Sequence, residues 1–243
     1  MTSQTIHRLN QLNQRFYEQV ATDFSQTREQ PWNGWQQLVP LLQQKQPQNI
    51  LDVGCGNGRF AEFLQQHLSD FQYHGIDNNE KLLRIAKSHL PNANFSQIDI
   101  VESLSESSLN KKIAEKYNLI TFFGVLHHIP SFELRKKLLE FARQHITQNG
   151  LVIFTTWQFD CSPKLLKRQI DPTTLHFSRE DLEPNDYFLT WERGAHAIRY
   201  CHLINAEEQK KLIEGWHLVQ EFEADGETTN LNHYVILSPN FAR

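Results

Sequence analysis

The sequence predicts an α/β protein built on one doubly wound, seven-stranded sheet with an antiparallel terminal strand, an N-terminal helix and a long insertion after the fifth strand. Three observations lead there. Strand-like and helix-like segments alternate from residue 49 to 157, a glycine-rich turn follows the first strand, and two strand-like runs flank a glycine-containing turn near the end.

The N-terminal helix rests on residues 4–30, which are glutamine-rich with Ile6, Leu9, Leu12, Phe16 and Val20 at helical spacing. NILDV, FQYHGID, NFSQI, NLITFFG and GLVIFTTW then read as strands. Helical patterns at 58–68, 79–89, 105–116 and 131–146 separate them, as the crossovers of a parallel sheet require. GWHLVQEFEAD and NHYVILS pair antiparallel at one edge of that sheet. Residues 158–204 fall outside the alternation, and a connection this far above the usual ~2–6 residues tends to carry function. One domain over 1–243 is expected: a helical cap (1–46), a ligand-binding core (47–157), a substrate-facing insertion (158–204) and a last helix with the hairpin (205–243).

A hydrophobic content of 39% with charges of both signs dispersed along the chain excludes a disordered polymer. No apolar run approaches the ~20 residues that span a bilayer, and MTSQTIHRLNQLNQ lacks the apolar centre of a secretory signal, so a cytoplasmic protein without a membrane partner is expected. Cys55, Cys161 and Cys201 form no CxxC pair and are expected as free thiols. A net charge of −4 argues against a general nucleic-acid binder, although KLLKR (164–168), Arg179, Arg193 and Arg199 gather positive charge locally.

The turn after the first strand reads ILDVGCGNGRF. In a doubly wound sheet, ligands sit outside the carboxyl ends of the strands where strand order reverses, which places Asp52, Gly54, Gly56 and Gly58 at such a crevice. Their D-x-G-x-G-x-G spacing departs from the dinucleotide G-x-G-x-x-G and lacks the Gly-Lys-Ser/Thr ending of a P-loop. The second strand ends in Gly-Ile-Asp-Asn, and Asp77 lies about 25 residues after Asp52, near the spacing at which an acid accepts from a ribose hydroxyl. A helix N-cap is the other role open to Asp77. His127 and His128 cannot readily turn both imidazoles onto one ion, and no carboxylate cluster accompanies them, so no metal is expected and packing against ligand or substrate is their assigned role.

D-x-G-x-G-x-G resembles motif I of the class I S-adenosylmethionine (SAM) methyltransferases, over roughly residues 47–157 and the terminal hairpin. The resemblance implies a Rossmann-like fold, SAM as cofactor and S-adenosylhomocysteine as product. It implies cofactor contacts from Asp52, Gly54, Cys55, Gly56, Asn57 and Gly58, with Asp52 accepting from the ammonium. Asp77 and Asn78 follow at the ribose, Asp99 at the adenine amino group, Ile100 against the ring, and Phe123, Gly124 and Val125 beneath the methionine.

A narrower resemblance lies outside this core. RFYEQVATDFSQTREQPW (15–32), DYFLTW (186–191) and RYCHLINAEE (199–208) are similar to elements of the tRNA wobble-uridine carboxymethyl methyltransferases and of the methyltransferase domain of the AlkB-like tRNA hydroxylase. That family methylates a carboxylate, which is ionised at neutral pH and needs no general base. The resemblance implies tRNA as partner and, as in eukaryotic members, a possible small zinc-binding activator subunit. A small carboxylic acid or other metabolite is the alternative acceptor, and a SAM-binding protein without turnover the third reading. Arg199, with neighbouring His202, is assigned the grip on the acceptor carboxylate, a surface ion pair being the other role open to Arg199. His128 joins them as a catalytic candidate. Arg28 is assigned to the carboxylate of SAM, with Tyr17 and Trp32 closing over the cofactor. Cys201 and Ile204 stand where the family carries aromatics, so the acceptor pocket is expected to differ in shape there.

Overall fold

The computed structural model describes residues 1–26, 30–191 and 196–240. Helix α1 (Ser3–Gln26) buries the apolar stripe read from the sequence, including Leu9, Phe16 and Val20. Helix α2 (Asn33–Lys45) follows and completes the N-terminal cap. The central sheet comprises β1 (Asn49–Val53), β2 (Gln72–Asp77), β3 (Asn94–Gln97), β4 (Tyr117–Phe122) and β5 (Ile146–Trp157). Between them run α3 (Arg59–Gln65), α4 (Glu80–His89), α5 (Ile100–Ser105), α6 (Leu109–Lys112) and α7 (Phe132–His145).

Alternation along the strands divides the core between the two faces of the sheet. Leu51, Val53, Val152 and Phe154 pack on the α7 side, whereas Ile50, Leu151 and Ile153 pack beneath α2, α3 and α4. Each face is dry, so the parallel strands are apolar on both sides. The pattern expected as one helix over 105–116 is instead α5 and α6. The chain breaks at Ser107, whose φ of 55° cannot continue a helix.

The insertion is ordered as a second sheet. Helix α8 (Pro163–Leu166) leads into β6 (Gln169–Ile170), β7 (Asp186–Trp191) and β8 (Ala197–His202), which pair antiparallel in that order. Helix α1 lies on β8, where Asn13 accepts from the Tyr200 backbone N–H at 2.8 Å. Helix α9 (Ala206–Leu212) leads back to β9 (Trp216–Ala224) and β10 (Asn232–Pro239). The seven-stranded order is β3-β2-β1-β4-β5-β10-β9, with β10 antiparallel to both neighbours as the terminal hairpin predicted. Strand order reverses between β1 and β4, and the crevice opens there.

Arg135 of α7 clamps the insertion to this core. It is fully buried and donates to Glu208 and Glu183 at 2.7 Å each and to the Ile129 carbonyl at 2.9 Å. His202 stands in the same cluster, between Asp186 and Glu208 at 2.7 Å each. Burial works against charge on His202, but those two carboxylates outweigh it and raise its pKa above the usual imidazole value. No helix among the described residues is long and apolar enough to cross a membrane.

Candidate active site

At the switch point lies a cleft of about 1040 Å³, including its open mouth, formed by the ends of β1, β2 and β4 and roofed by α1 and the start of α2. Gly54 and Gly56 of the first turn line one wall, while Gly58, also predicted there, packs towards Ala86 and Leu90 instead. Gly54, Gly56 and Gly58 all have positive φ, at 75°, 56° and 82°. A Cβ on Gly54 would stand 2.3 Å from Val125 Cγ2, so this position needs glycine for space as well as for conformation. Asn57 and Cys55 also line the wall, Cys55 from a buried position.

Two acids form the floor. Asp52 is buried and accepts from Tyr73 Oη at 2.5 Å and Thr121 Oγ1 at 2.7 Å. Burial pushes its pKa up to about 6 in spite of these hydrogen bonds. Asp77 accepts from the Gly56 and Asn79 backbone N–H groups at 2.9 and 2.8 Å, tying the glycine turn to the start of α4. Burial raises Asp77 as well. The helix cap is Asn79, which accepts from Leu82 N, so the N-cap alternative for Asp77 falls to its neighbour. Asn78 lines the cleft beside it.

Further along, Asp99 lines the cleft and also caps α5, accepting from Glu102 N at 2.8 Å. Its second oxygen accepts from Asn10 at 2.8 Å and from Gln14. Any ligand donor at Asp99 shares a carboxylate already at work in the fold. Ile100 follows it on the cleft wall. Opposite stand Phe123, Gly124 and Val125, where Gly124 donates to Thr155 Oγ1 at 2.9 Å. Its missing side chain lets Trp32 lie over the backbone, at 3.3 Å from where a Cβ would be. Trp32 stacks on Trp35 with ring centres 5.5 Å apart.

His128 and Tyr17 meet at the cleft. His128 Nδ1 lies 3.0 Å from the Tyr200 carbonyl and 3.3 Å from Asn13 Nδ2, and Nε2 lies 2.9 Å from Tyr17 Oη. His127 stacks between His128 and Trp157, with ring centres 4.1 and 5.2 Å away.

Arg199 stands one layer behind this wall. Its guanidinium lies over Trp157 at 4.4 Å, Phe16 at 5.3 Å and Trp191 at 5.9 Å. It is 6% exposed, its Nε has no hydrogen-bond partner, and no carboxylate among the described residues pairs with it. The surface ion pair is therefore not what holds it. His202 does not join it: side chains alternate along β8, so Tyr200 and His202 share the face bound to Asp186 while Arg199 points to the other. Both ring nitrogens of His202 are committed to carboxylates, which corrects its assignment to the acceptor grip. Glu183, Asp186 and His202 lie close enough to hold a cation, but Arg135 already supplies the positive charge there. Arg28 lies outside the described residues.

Sequence reasoning missed Asn10, Asn13, Trp35 and Arg59 on the cleft wall. Asn10, Asn13 and Tyr17 follow helical spacing, and asparagines buried in an amphipathic helix were the available signal. Arg59 directly follows the last glycine and gave none.

Among the described residues Arg59 is the only lysine or arginine lining the cleft, and they form no cradle for a polyphosphate. The glycine turn, the acid closing β2 and the apolar shelf of Phe123 and Val125 fit a nucleoside carrying an amino acid. With the sheet order, they define a class I SAM-dependent methyltransferase. The methyltransferase-domain family model matches residues 26–218, and the chain belongs to that family. It is 29% identical over 108 residues to the ubiquinone biosynthesis O-methyltransferase of Coxiella burnetii, a match covering 44% of this chain and 43% of that relative. It is 35% identical over 66 residues to the trans-aconitate 2-methyltransferase of Acidovorax sp., covering 27% and 26%. The chain thus spans less than half the length of these curated relatives. Among solved structures, the S-adenosylmethionine-dependent methyltransferase from Clostridium acetobutylicum superposes with a TM-score of 0.65 at 13% identity, over 93% of this chain and 99% of that one.

Proposed function

We propose that this protein methylates a carboxylate to a methyl ester, and that the carboxylate is carried by a modified wobble uridine of tRNA. The observation that carries the chemistry is Arg199, a buried guanidinium caged by Phe16, Trp157 and Trp191 with no counter-ion among the described residues. Aromatic faces leave the planar edge of the fork for an anion, which it grips with two parallel hydrogen bonds. When bound, SAM supplies an electrophilic methyl group. Asp52 and Asp77 hold the cofactor's ammonium and ribose, and Trp32 and Tyr17 shield the site from water. The acceptor is already ionised, so the site's task is orientation.

The tRNA reading is supported by convergence. Phe16 of α1, Trp191 of β7 and Arg199 of β8 come one from each of the three stretches that resemble the wobble-uridine enzymes, and they meet in one cage. A small carboxylic acid is the second reading, favoured by the net charge of −4 and by the likeness to an enzyme whose name specifies trans-aconitate. Labelled SAM incubated with total tRNA and, separately, with a metabolite extract should place base-labile label on the tRNA. Label only in the extract selects the second reading, and no label in either points to a binding protein without turnover. Affinity for tRNA should also fall steeply with log salt.

The acid floor adds a pH signature. Asp52 is a carboxylate above its pKa of about 6 and neutral below it, and only the carboxylate attracts an ammonium. Affinity for SAM should be flat above pH 7 and fall towards tenfold per unit below pH 6. Calorimetry in buffers of differing ionisation enthalpy should detect proton release on binding near pH 5.5. Unchanged affinity down to pH 5 would remove Asp52 from the ammonium site.

A further inference from the structure

Among the described residues the cleft has one cationic corner, and no carboxylate pairs with it directly. Arg59, the first residue of α3, reaches over Trp35 at 5.1 Å and Trp32 at 5.6 Å and donates Nη1 to the Gln30 carbonyl at 2.9 Å. Two carboxylates act on it from a distance, and both are engaged elsewhere. Asp225 accepts from Gly34 N, Asn232 Nδ2 and Tyr234 Oη, and Glu62 is paired with His89 at 2.7 Å. Burial lowers the Arg59 pKa to about 10, so its charge is held there against a desolvation cost. Beside it, Trp35 is 2% exposed and its Nε1 donor has no partner, although an indole N–H normally finds one when buried.

We propose that Arg59, aided by the Trp35 indole N–H, receives the α-carboxylate of the SAM amino-acid moiety. The inference rests on the cofactor reading above and extends it to a residue outside the glycine motif. A zwitterion then finds complementary poles in one cleft, its ammonium towards Asp52 and its carboxylate towards Arg59. The sequence resemblance assigns this carboxylate to Arg28, so the two arginines make opposing predictions.

Truncating the ligand separates them. Decarboxylated SAM keeps the sulfonium, the ammonium and the adenosine and lacks only the anion. Calorimetry on the full chain should show that Arg59→Gln weakens SAM on the order of ten- to a hundredfold while changing decarboxylated SAM less than about twofold. Arg59→Lys, which keeps the charge without the fork, should fall between and controls for folding together with a thermal melt. Equal loss for both ligands, no loss for either, or the selective loss appearing in Arg28→Gln instead would overturn the assignment to Arg59. A natural protein that binds neither ligand would overturn the cofactor reading itself.

Discussion

Arg199→Met should all but abolish methyl transfer, leave SAM affinity within about twofold, and raise the melting temperature. The loss follows from removing one partner of a desolvated charge pair with the acceptor, an effect of about 2–5 kcal/mol, or roughly 30- to 5,000-fold in kcat/KM. The gain in stability follows from the same burial. Without substrate the guanidinium is largely out of water, its Nε is unsatisfied and ring faces surround it. A methionine of similar reach has nothing to desolvate and keeps the contacts to Phe16, Trp157 and Trp191. An increase of about 1 kcal/mol, or roughly 2–4 °C, is expected in calorimetric melts. Arg199→Lys should lose turnover without the stability gain, because an ammonium cannot reproduce the planar fork. Lost SAM affinity in either variant would move Arg199 from the acceptor to the cofactor, and full turnover would remove it from the site.

Arg135→Met should do the reverse and cost about 3–5 kcal/mol of stability. The two arginines are both buried and differ in what surrounds them. Arg135 neutralises Glu183 and Glu208 and satisfies the Ile129 carbonyl, so its removal leaves two half-buried carboxylates short of their cation, with Glu208 keeping only His202. The clamp joining α7, β7, β8 and α9 opens with it, and Tyr200 and His128 lose the scaffold that sets their geometry. Melting should fall by roughly 6–20 °C. Adding Glu183→Gln and Glu208→Gln to Arg135→Met should recover much of the loss, since removing both signs of a buried pair is far cheaper than removing one. If the triple variant melts as low as the single one, packing and not stranded charge is what Arg135 supplies.

Part of the site was legible because local pattern and local chemistry coincide there. The glycines at positions 54, 56 and 58 require a special backbone, and Asp77 ends a strand whose own composition announces it. Gly54, Gly56 and Asp77 line the cleft, whereas Gly58 faces Ala86 and Leu90 behind it. The insertion was legible only as a long segment, since β6 is two residues and β7 and β8 find their pattern only in each other. Arg59 and Arg135 were silent because an arginine in a helix reads as solvated until the acids and rings around it are known.

Hydrophobic period and turn chemistry act between near neighbours, so the chain alone determined the doubly wound sheet, its antiparallel end and the glycine cradle at the strand reversal. Burial and charge pairing act between residues far apart in the sequence, and only the folded molecule decided them. Arg199 and His202, three residues apart on one strand, face opposite sides: one meets aromatic rings and no carboxylate among the described residues, the other meets two carboxylates and holds the insertion in place.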